Sequence, residues 1–310
     1  MKVLVTGANG FVGGHLCPML ESSDCEVVRG TREIVGNIDG RTDWLDALRG
    51  VDAVVHLAAR AHILKETAVD PLEAFREVNL AGTLNLAQQA GSCGVTRFVF
   101  ISSIGVHGLL STGGSFSVSD ELIPHDPYSA SKLEAEQGLR QIAEETGLEL
   151  VSIRPPLMYG PGVGANFLRL MKLAASGIPL PLGSVKNRRS FVYVGNLCDL
   201  IFQCLENPAA AGEIFLVSDD HDVSTPDLLR LLATAQGKPA RLFPFPVSLL
   251  KWAGRLAGRS AEIERLCGSL QVDIKHTKEM IGWEPPFEME QGIRETVAAH
   301  QVEQSAIGNK

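Results

Sequence analysis

Short apolar runs alternate with amphipathic stretches through the first half of the chain. Lys2-Val3-Leu4-Val5-Thr6 is a β-branched run, followed by Gly7-Ala8-Asn9-Gly10-Phe11-Val12-Gly13 and a helical stretch from Gly14 to Leu20. Glu26-Val27-Val28-Arg29 reads as a second strand, Val35-Gly36-Asn37-Ile38 as the end of a third and Val51 to Ala59 as a fourth. Arg97 to Ile101 reads as a fifth and Leu150 to Arg154 as a sixth. A helix runs from Pro71 through Ala87, and another opens at Tyr128. Strands alternating with helices predict an α/β fold built on a doubly wound parallel sheet.

Pro155-Pro156 and Tyr159-Gly160-Pro161-Gly162 break this rhythm. Residues 1–155 are expected to form a Rossmann-type nucleotide-binding domain, to which 189–218 returns, and 156–310 mainly a smaller, mixed substrate domain. There Asn166 to Ser176 reads as a helix, Arg188 to Val194 as basic residues entering a strand, and Gly212 to Val217 as a strand. The loop from Leu109 to Pro127, rich in Gly, Ser and Thr, has the composition of a flap. Pro246 to Leu256 is amphipathic; a helix packed into the second domain is preferred over a membrane-surface helix.

Composition narrows the function. With 310 residues and 45% hydrophobic content, the chain can bury a sizeable core. A net charge of -8 argues against a nucleic-acid surface, though local basic clusters can still bind phosphate. Six scattered cysteines with no Cys-x-x-Cys pair, and no cleavable leader, suggest reduced thiols in a cytoplasm. No apolar run reaches the roughly 18 residues of a membrane span, and no metal site is expected.

The chemistry concentrates where the predicted strands end. Gly7, Gly10 and Gly13 lie between a strand and a helix, where glycines permit a tight turn, close approach of a pyrophosphate and close helix packing. Ala58-Ala59 and Ser102-Ser103 fall at the carboxyl ends of two further strands, where ligands of such sheets sit. After the second strand no acid stands ready for a ribose hydroxyl, whereas Arg29 and Arg32 suit a 2′-phosphate, so NADP(H) is preferred over NAD(H). Asn37 is placed for the adenine edge. Tyr128 and Lys132, four apart on a helix, share a face and can act as a proton-exchanging phenol and its cation.

Together with His56-Leu57-Ala58-Ala59, Asn79-Leu80-Ala81-Gly82-Thr83, Arg154-Pro155, Arg189-Ser190-Phe191-Val192-Tyr193-Val194 and Ile281-Gly282-Trp283-Glu284-Pro285, these motifs resemble the extended short-chain dehydrogenase/reductase family. The likeness is to its sugar-nucleotide epimerase/dehydratase branch and runs nearly end to end. It implies that Tyr128 exchanges a proton with the sugar, Lys132 lowers its pKa and holds the nicotinamide ribose, and Ser103 bonds the reacting oxygen. It places the cofactor against Gly7, Gly10, Phe11, Val12, Gly13, Arg32, Asn37, Ile38, Leu57, Ala58, Ala59, Asn79, Tyr128, Lys132 and Pro155. The nucleotide diphosphate falls to Asn166, Phe167 and Arg189, with Arg188 as neighbour and Arg265 an uncertain late match. Ile104-Gly105 replaces the Asp-Glu pair of dehydratases, Val106-His107-Gly108 replaces a Val-Tyr-Gly, and Leu157 replaces an Asn; His107 reads as structural.

Taken with Arg60, which completes a His-Leu-Ala-Ala-Arg subgroup pattern, the resemblance implies hydride transfer at C4 of a UDP-linked hexose or N-acetylhexosamine in surface-polysaccharide synthesis. A 4-keto sugar nucleotide reductase is the leading reading, a UDP-sugar 4-epimerase the alternative, and a non-catalytic NAD(P)-binding sensor a remote third. Homodimerisation through the helices beginning near Pro71 and Ser129 is also implied.

Overall fold

The computed structural model describes residues 1–61 and 70–308. Strand β1 (Lys2–Thr6) leads through the glycine turn into α1 (Phe11–Ser22), and β2 (Glu26–Gly30) into the single helical turn α2 (Arg32–Val35). After β3 (Ala53–His56), α3 (Pro71–Arg76) passes through a π-helical turn, Glu77–Gly82, into α4 (Thr83–Ser92). Next come β4 (Arg97–Ile101), α5 (Pro127–Thr146) and β5 (Glu149–Arg154). Then follow β6 (Leu157–Tyr159), α6 (Ala165–Ala175), β7 (Phe191–Tyr193), α7 (Val194–Glu206) and β8 (Ile214–Leu216). Helices α8 (Thr225–Ala235), α9 (Val247–Leu256), α10 (Ser260–Cys267), α11 (Lys275–Ile281) and α12 (Met289–Gly308) complete the order.

Six strands form one parallel sheet in the order β2-β1-β3-β4-β5-β8, and β6 pairs with β7 in a separate parallel ribbon. Because β1 has β2 on one side and β3 on the other, the winding reverses there, and the crevice beyond the strand ends opens at that point. The pleat of β1 sends Val3 and Val5 to one face and Leu4 to the other. Leu4 joins Trp44, Val54, Phe98, Phe100, Leu86 and Leu139 in a core closed by α4 and α5. Val3 and Val5 belong to a larger core that runs on without a break through α6, α7 and α8 into α12. The sheet and the C-terminal region therefore share apolar packing.

Helix α5 starts abruptly for local reasons. Asp126 accepts from the Ser129 amide at 2.7 Å, Ser129 returns a bond to the Asp126 amide, and Pro127 fills the first helical position; Gly147, at φ 75°, ends it. Tyr128 is thereby fixed in the first turn. At mid-helix a Cβ on Gly138 would stand 2.8 Å from Leu84 methyl carbons, so α5 and α4 pack closely there.

Several expectations change. Residues 35–38 form no strand: Gly36 turns at φ 73°, and the Thr42 hydroxyl closes the following turn by donating to the Asn37 carbonyl. The strand expected over Val51 to Ala59 is confined to Ala53–His56. The 109–127 loop is pinned to the C-terminal region by bonds from the Ser111 amide to the Ser269 carbonyl and from the Phe116 amide to the Gln271 carbonyl. Helix α9 is packed on one side only: Leu250 and Gly254 are buried, while Leu249, Trp252 and Leu256 face outward. No described helix is long and apolar enough to cross a membrane.

Candidate active site

The glycine turn is shaped for backbone contact. Gly7 sits at φ +67°, and a Cβ there would stand 2.9 Å from the Ala58 amide nitrogen, so the ends of β1 and β3 nearly touch. A Cβ on Gly13 would lie 2.4 Å from the Gly7 carbonyl oxygen and 2.6 Å from the Ala8 Cα, which ties the first turn of α1 to the same strand end. Beneath the turn, His56 is wholly buried with Nδ1 2.7 Å from the Thr6 hydroxyl and Nε2 2.9 Å from that of Thr83. Burial and then the Lys132 charge hold its pKa down at about 3, so this link stays neutral. Val12 packs in the core and Phe11 stacks edge-on against His15, which leaves the backbone of 10–13 as the surface that a phosphate meets. With its close strand ends and helix N-terminus, the cradle fits a dinucleotide.

The end of β2 gives less to a 2′-phosphate than its sequence suggests. Arg29 is bonded to Glu21 at 2.7 Å, while Arg32 lies exposed at the start of α2. Asn37 is exposed, and Ile38 packs on the backbone of Gly82. Asn79 is fully buried with its amide spent on protein: Oδ1 accepts from the Arg60 amide at 2.8 Å, and Nδ2 donates to the Arg60 carbonyl and the Ser131 hydroxyl. It joins the segment after β3 to α5 between Tyr128 and Lys132. The Pro155 carbonyl accepts from the Ile104 amide at 3.0 Å, so it braces the loop after β4.

Ser103 and Lys132 stand where β4 ends, against the start of α5, whose first turn carries Tyr128 edge-on to Phe75 at 6.1 Å. Lys132 is 1% exposed; its Nζ donates to the Ile101 carbonyl at 2.8 Å and stands 4.5 Å over the Phe100 ring. The Ser103 hydroxyl oxygen accepts from the Gly105 amide at 3.1 Å. A Cβ on Gly105 would come within 3.2 Å of Ser103 Oγ and 3.3 Å of both Ser129 Cβ and His125 Cε1, so these elements are crowded around that glycine. Burial pushes the Tyr128 hydroxyl up to about 12, with the Asp126 charge adding to it. Burial also brings Lys132 down to about 7, partly opposed by Glu136. The expected lowering of the Tyr128 pKa by Lys132 is thus reversed in the protein alone, because desolvation penalises both charged forms.

One turn beyond Lys132, Glu136 forms a buried two-point pair with Arg154, at 3.0 and 2.5 Å, and Arg154 Nη1 lies 2.9 Å from His107 Nε2. The pair ties α5, the end of β5 and the loop after Ser103 together. His107 is neutral, held down at about 4 by burial and then by the Arg154 charge.

Near the α5 cap, where His125 packs on Gly105 beside Ser103, positive charge is gathered from distant segments. Arg189 Nη1 donates to the carbonyls of Arg265 at 2.9 Å and Gly268 at 3.3 Å, and burial, then the Arg265 charge, lowers it to about 10. His125 pairs with Asp126 at 3.2 Å, which raises its pKa, and it too feels Arg265. Arg265 thus proves to be a neighbour of Arg189, and His125, which motif reading passed over, joins them; its only sequence signal is its place just before the α5 cap. Phe167 is buried and stacked on Tyr159 at 5.0 Å, so its ring belongs to the core, while Asn166 beside it and Arg188 are exposed.

Comparison with known proteins gives the family. Residues 3–218 match the model of the NAD dependent epimerase/dehydratase family. A UDP-glucose 4-epimerase of Vibrio cholerae is 46% identical over 311 residues, covering 96% of this chain and 95% of that protein. An N-acetyl-alpha-D-glucosaminyl-diphospho-ditrans,octacis-undecaprenol 4-epimerase of Escherichia coli O157:H7 is 29% identical, covering 96% and 94%. Among solved structures, the UDP-glucuronic acid 4-epimerase of Bacillus cereus in complex with NAD superposes with a TM-score of 0.78 at 22% identity, covering 97% of this chain and 99% of that one, a likeness of fold. The protein is an enzyme, and the chain belongs to the NAD-dependent epimerase/dehydratase family of extended short-chain dehydrogenases/reductases.

Proposed function

We propose that the protein interconverts UDP-hexoses by epimerisation at C4, with UDP-glucose as the substrate and a retained NAD+ as cofactor. The observation that carries this reading is the 46% identity to the Vibrio cholerae UDP-glucose 4-epimerase over nearly the whole of both chains. It displaces the 4-keto sugar nucleotide reductase preferred from sequence. That preference leaned on the missing acid after β2, on the missing dehydration pair and on Arg29 and Arg32, of which Arg29 is engaged with Glu21 and Arg32 is exposed.

When bound, NAD+ supplies the hydride acceptor for C4 and a ring cation that favours a phenolate nearby. Tyr128 takes the proton of the 4-hydroxyl and later returns it to the 4-keto oxygen. Lys132, held between the Ile101 carbonyl and the Phe100 ring, supplies the charge that a buried phenolate needs. Because Ser103 accepts from the Gly105 amide, its own O–H is left to donate to the reacting oxygen. Arg189, Arg265 and His125 face the diphosphate, with the planar guanidinium suited to it. Elimination of water finds no acid at 104–105, where Ile104 is buried in the core and Gly105 has no room for a side chain.

The test is to denature the purified protein, identify the released nucleotide, and incubate the native enzyme with UDP-glucose without added cofactor. NAD+ in stoichiometric amount and formation of UDP-galactose are expected. An empty site, with turnover seen only when NADPH meets a 4-keto sugar nucleotide, would return the reading to a reductase.

A further inference from the structure

Helix α9 carries an apolar stripe that nothing among the described residues covers. Leu249, Trp252 and Leu256, spaced along one face, are 50%, 60% and 70% exposed. The helix cannot roll to hide them: its opposite side is pressed on α10, where a Cβ on Gly254 would stand 2.7 Å from Ile263 Cγ1, and the Arg259 amide donates to the Gly254 carbonyl at 2.8 Å. The helix and the chain leading into it are basic, while Glu262 and Glu264 lie on α10, packed against its opposite side. From Leu228 to Ala261 the chain has no Asp or Glu and six Lys or Arg, in a protein whose net charge is -8. Of these, Lys251, Arg255 and Arg259 are exposed beside the stripe and form no ion pair among the described residues.

We infer that α9 docks the enzyme on an anionic phospholipid surface, with Leu249, Trp252 and Leu256 entering the headgroup and acyl boundary and Lys251, Arg255 and Arg259 facing the phosphates. Apolar residues with a tryptophan on one face and cations on the flanks are what an interfacial helix needs. A second copy of the chain is a poorer occupant, because a two-fold contact centred on the stripe would bring the cations of both copies together. The same hairpin carries Arg265, whose carbonyl accepts from Arg189, so docking sets the substrate side of the crevice close to the bilayer.

The protein contains its own probe. Of its three tryptophans, Trp44 is 0% and Trp283 4% exposed, so a change in emission on adding lipid reports Trp252. The full-length enzyme is titrated with vesicles of phosphatidylcholine alone and of equal parts phosphatidylcholine and phosphatidylglycerol, with flotation as a second readout. Blue-shifted emission and flotation with the anionic vesicles alone, weakened by salt, are expected. Each cation near such a surface strengthens binding about five-fold, so Lys251→Gln with Arg255→Gln and Arg259→Gln should weaken it on the order of 100-fold. Leu249→Ser with Trp252→Ser and Leu256→Ser should abolish flotation while turnover of soluble substrate persists. Absence of flotation at low salt overturns the proposal, as does flotation that survives the triple serine variant. So does self-association without lipid that the serine variant abolishes, which would assign the stripe to a second copy.

Discussion

The two halves of the crevice are built by different means. The cofactor half is backbone: Gly7, Gly10 and Gly13 within one turn, the Ala58 amide against Gly7, and a neutral Thr6–His56–Thr83 chain beneath. The half proposed for the substrate is side chains gathered from afar, with His125, Arg189 and Arg265 supplied by the α5 cap, the approach to β7 and the α9–α10 hairpin. The pyrophosphate is common to NAD and NADP, so a rigid backbone mould serves it. A sugar nucleotide varies, and side chains on separate segments can be exchanged without disturbing the sheet.

The sharpest way to divide the halves is Tyr128→Phe, which removes one hydroxyl at their junction. Turnover should fall about 10²- to 10⁴-fold, the range for loss of a positioned acid and base, while released NAD+ stays stoichiometric. Turnover within a few-fold of the native enzyme would remove Tyr128 from the proton path. Gly13→Ala probes the mould. Its new Cβ would meet Gly7 and Ala8 backbone atoms at 2.4 to 2.7 Å, which cannot yield as a flexible side chain could. Overpacking of this kind costs about 1–3 kcal/mol, so the variant should purify without cofactor and melt at lower temperature. Retention of a full complement of NAD+ would show that α1 can shift on β1.

Arg265→Gln addresses the other half. Loss of one charge-assisted contact to a diphosphate, about 1.5 kcal/mol at an exposed group, should raise KM for UDP-glucose about ten-fold with little change in kcat or in bound NAD+. An unchanged KM would leave Arg189 and His125 to hold the diphosphate without it.

The same division explains what was legible in the sequence. The glycine turn, Ser103 and the Tyr128/Lys132 pair are local patterns whose spacing is set by one turn or one helix, and the strands that carry them are short β-branched runs. Arg265 and His125 become neighbours of one site only after α9 and α10 pack, and no spacing along the chain encodes that. The pairing of Arg29 was not legible, because its partner Glu21 lies on the preceding helix, eight residues back, beyond any strand-end rule. Residues 35–38 misled because two β-branched residues outweighed Gly36, whose positive φ turns the chain. Asn79 has a further place that no local pattern encodes, since its amide bonds Arg60 after β3 and Ser131 on α5.

A stability effect that depends on pH falls to the lysine at the junction. In the folded protein without cofactor, burial holds Lys132 at about 7, against roughly 10.4 in an unfolded chain. Between those values the unfolded state binds the extra proton, so Lys132 makes stability rise with pH, by at most about 1.4 kcal/mol per unit. Below pH 7 the lysine is charged in both states and its desolvation cost is fully present. Lys132→Met removes that cost along with the bond to the Ile101 carbonyl. The melting temperature of the cofactor-stripped variant, relative to the native chain, should therefore be higher at pH 6.5 than at pH 9. A difference independent of pH would mean that the amine titrates at its ordinary value and that the Ile101 carbonyl and the Phe100 ring already compensate its burial.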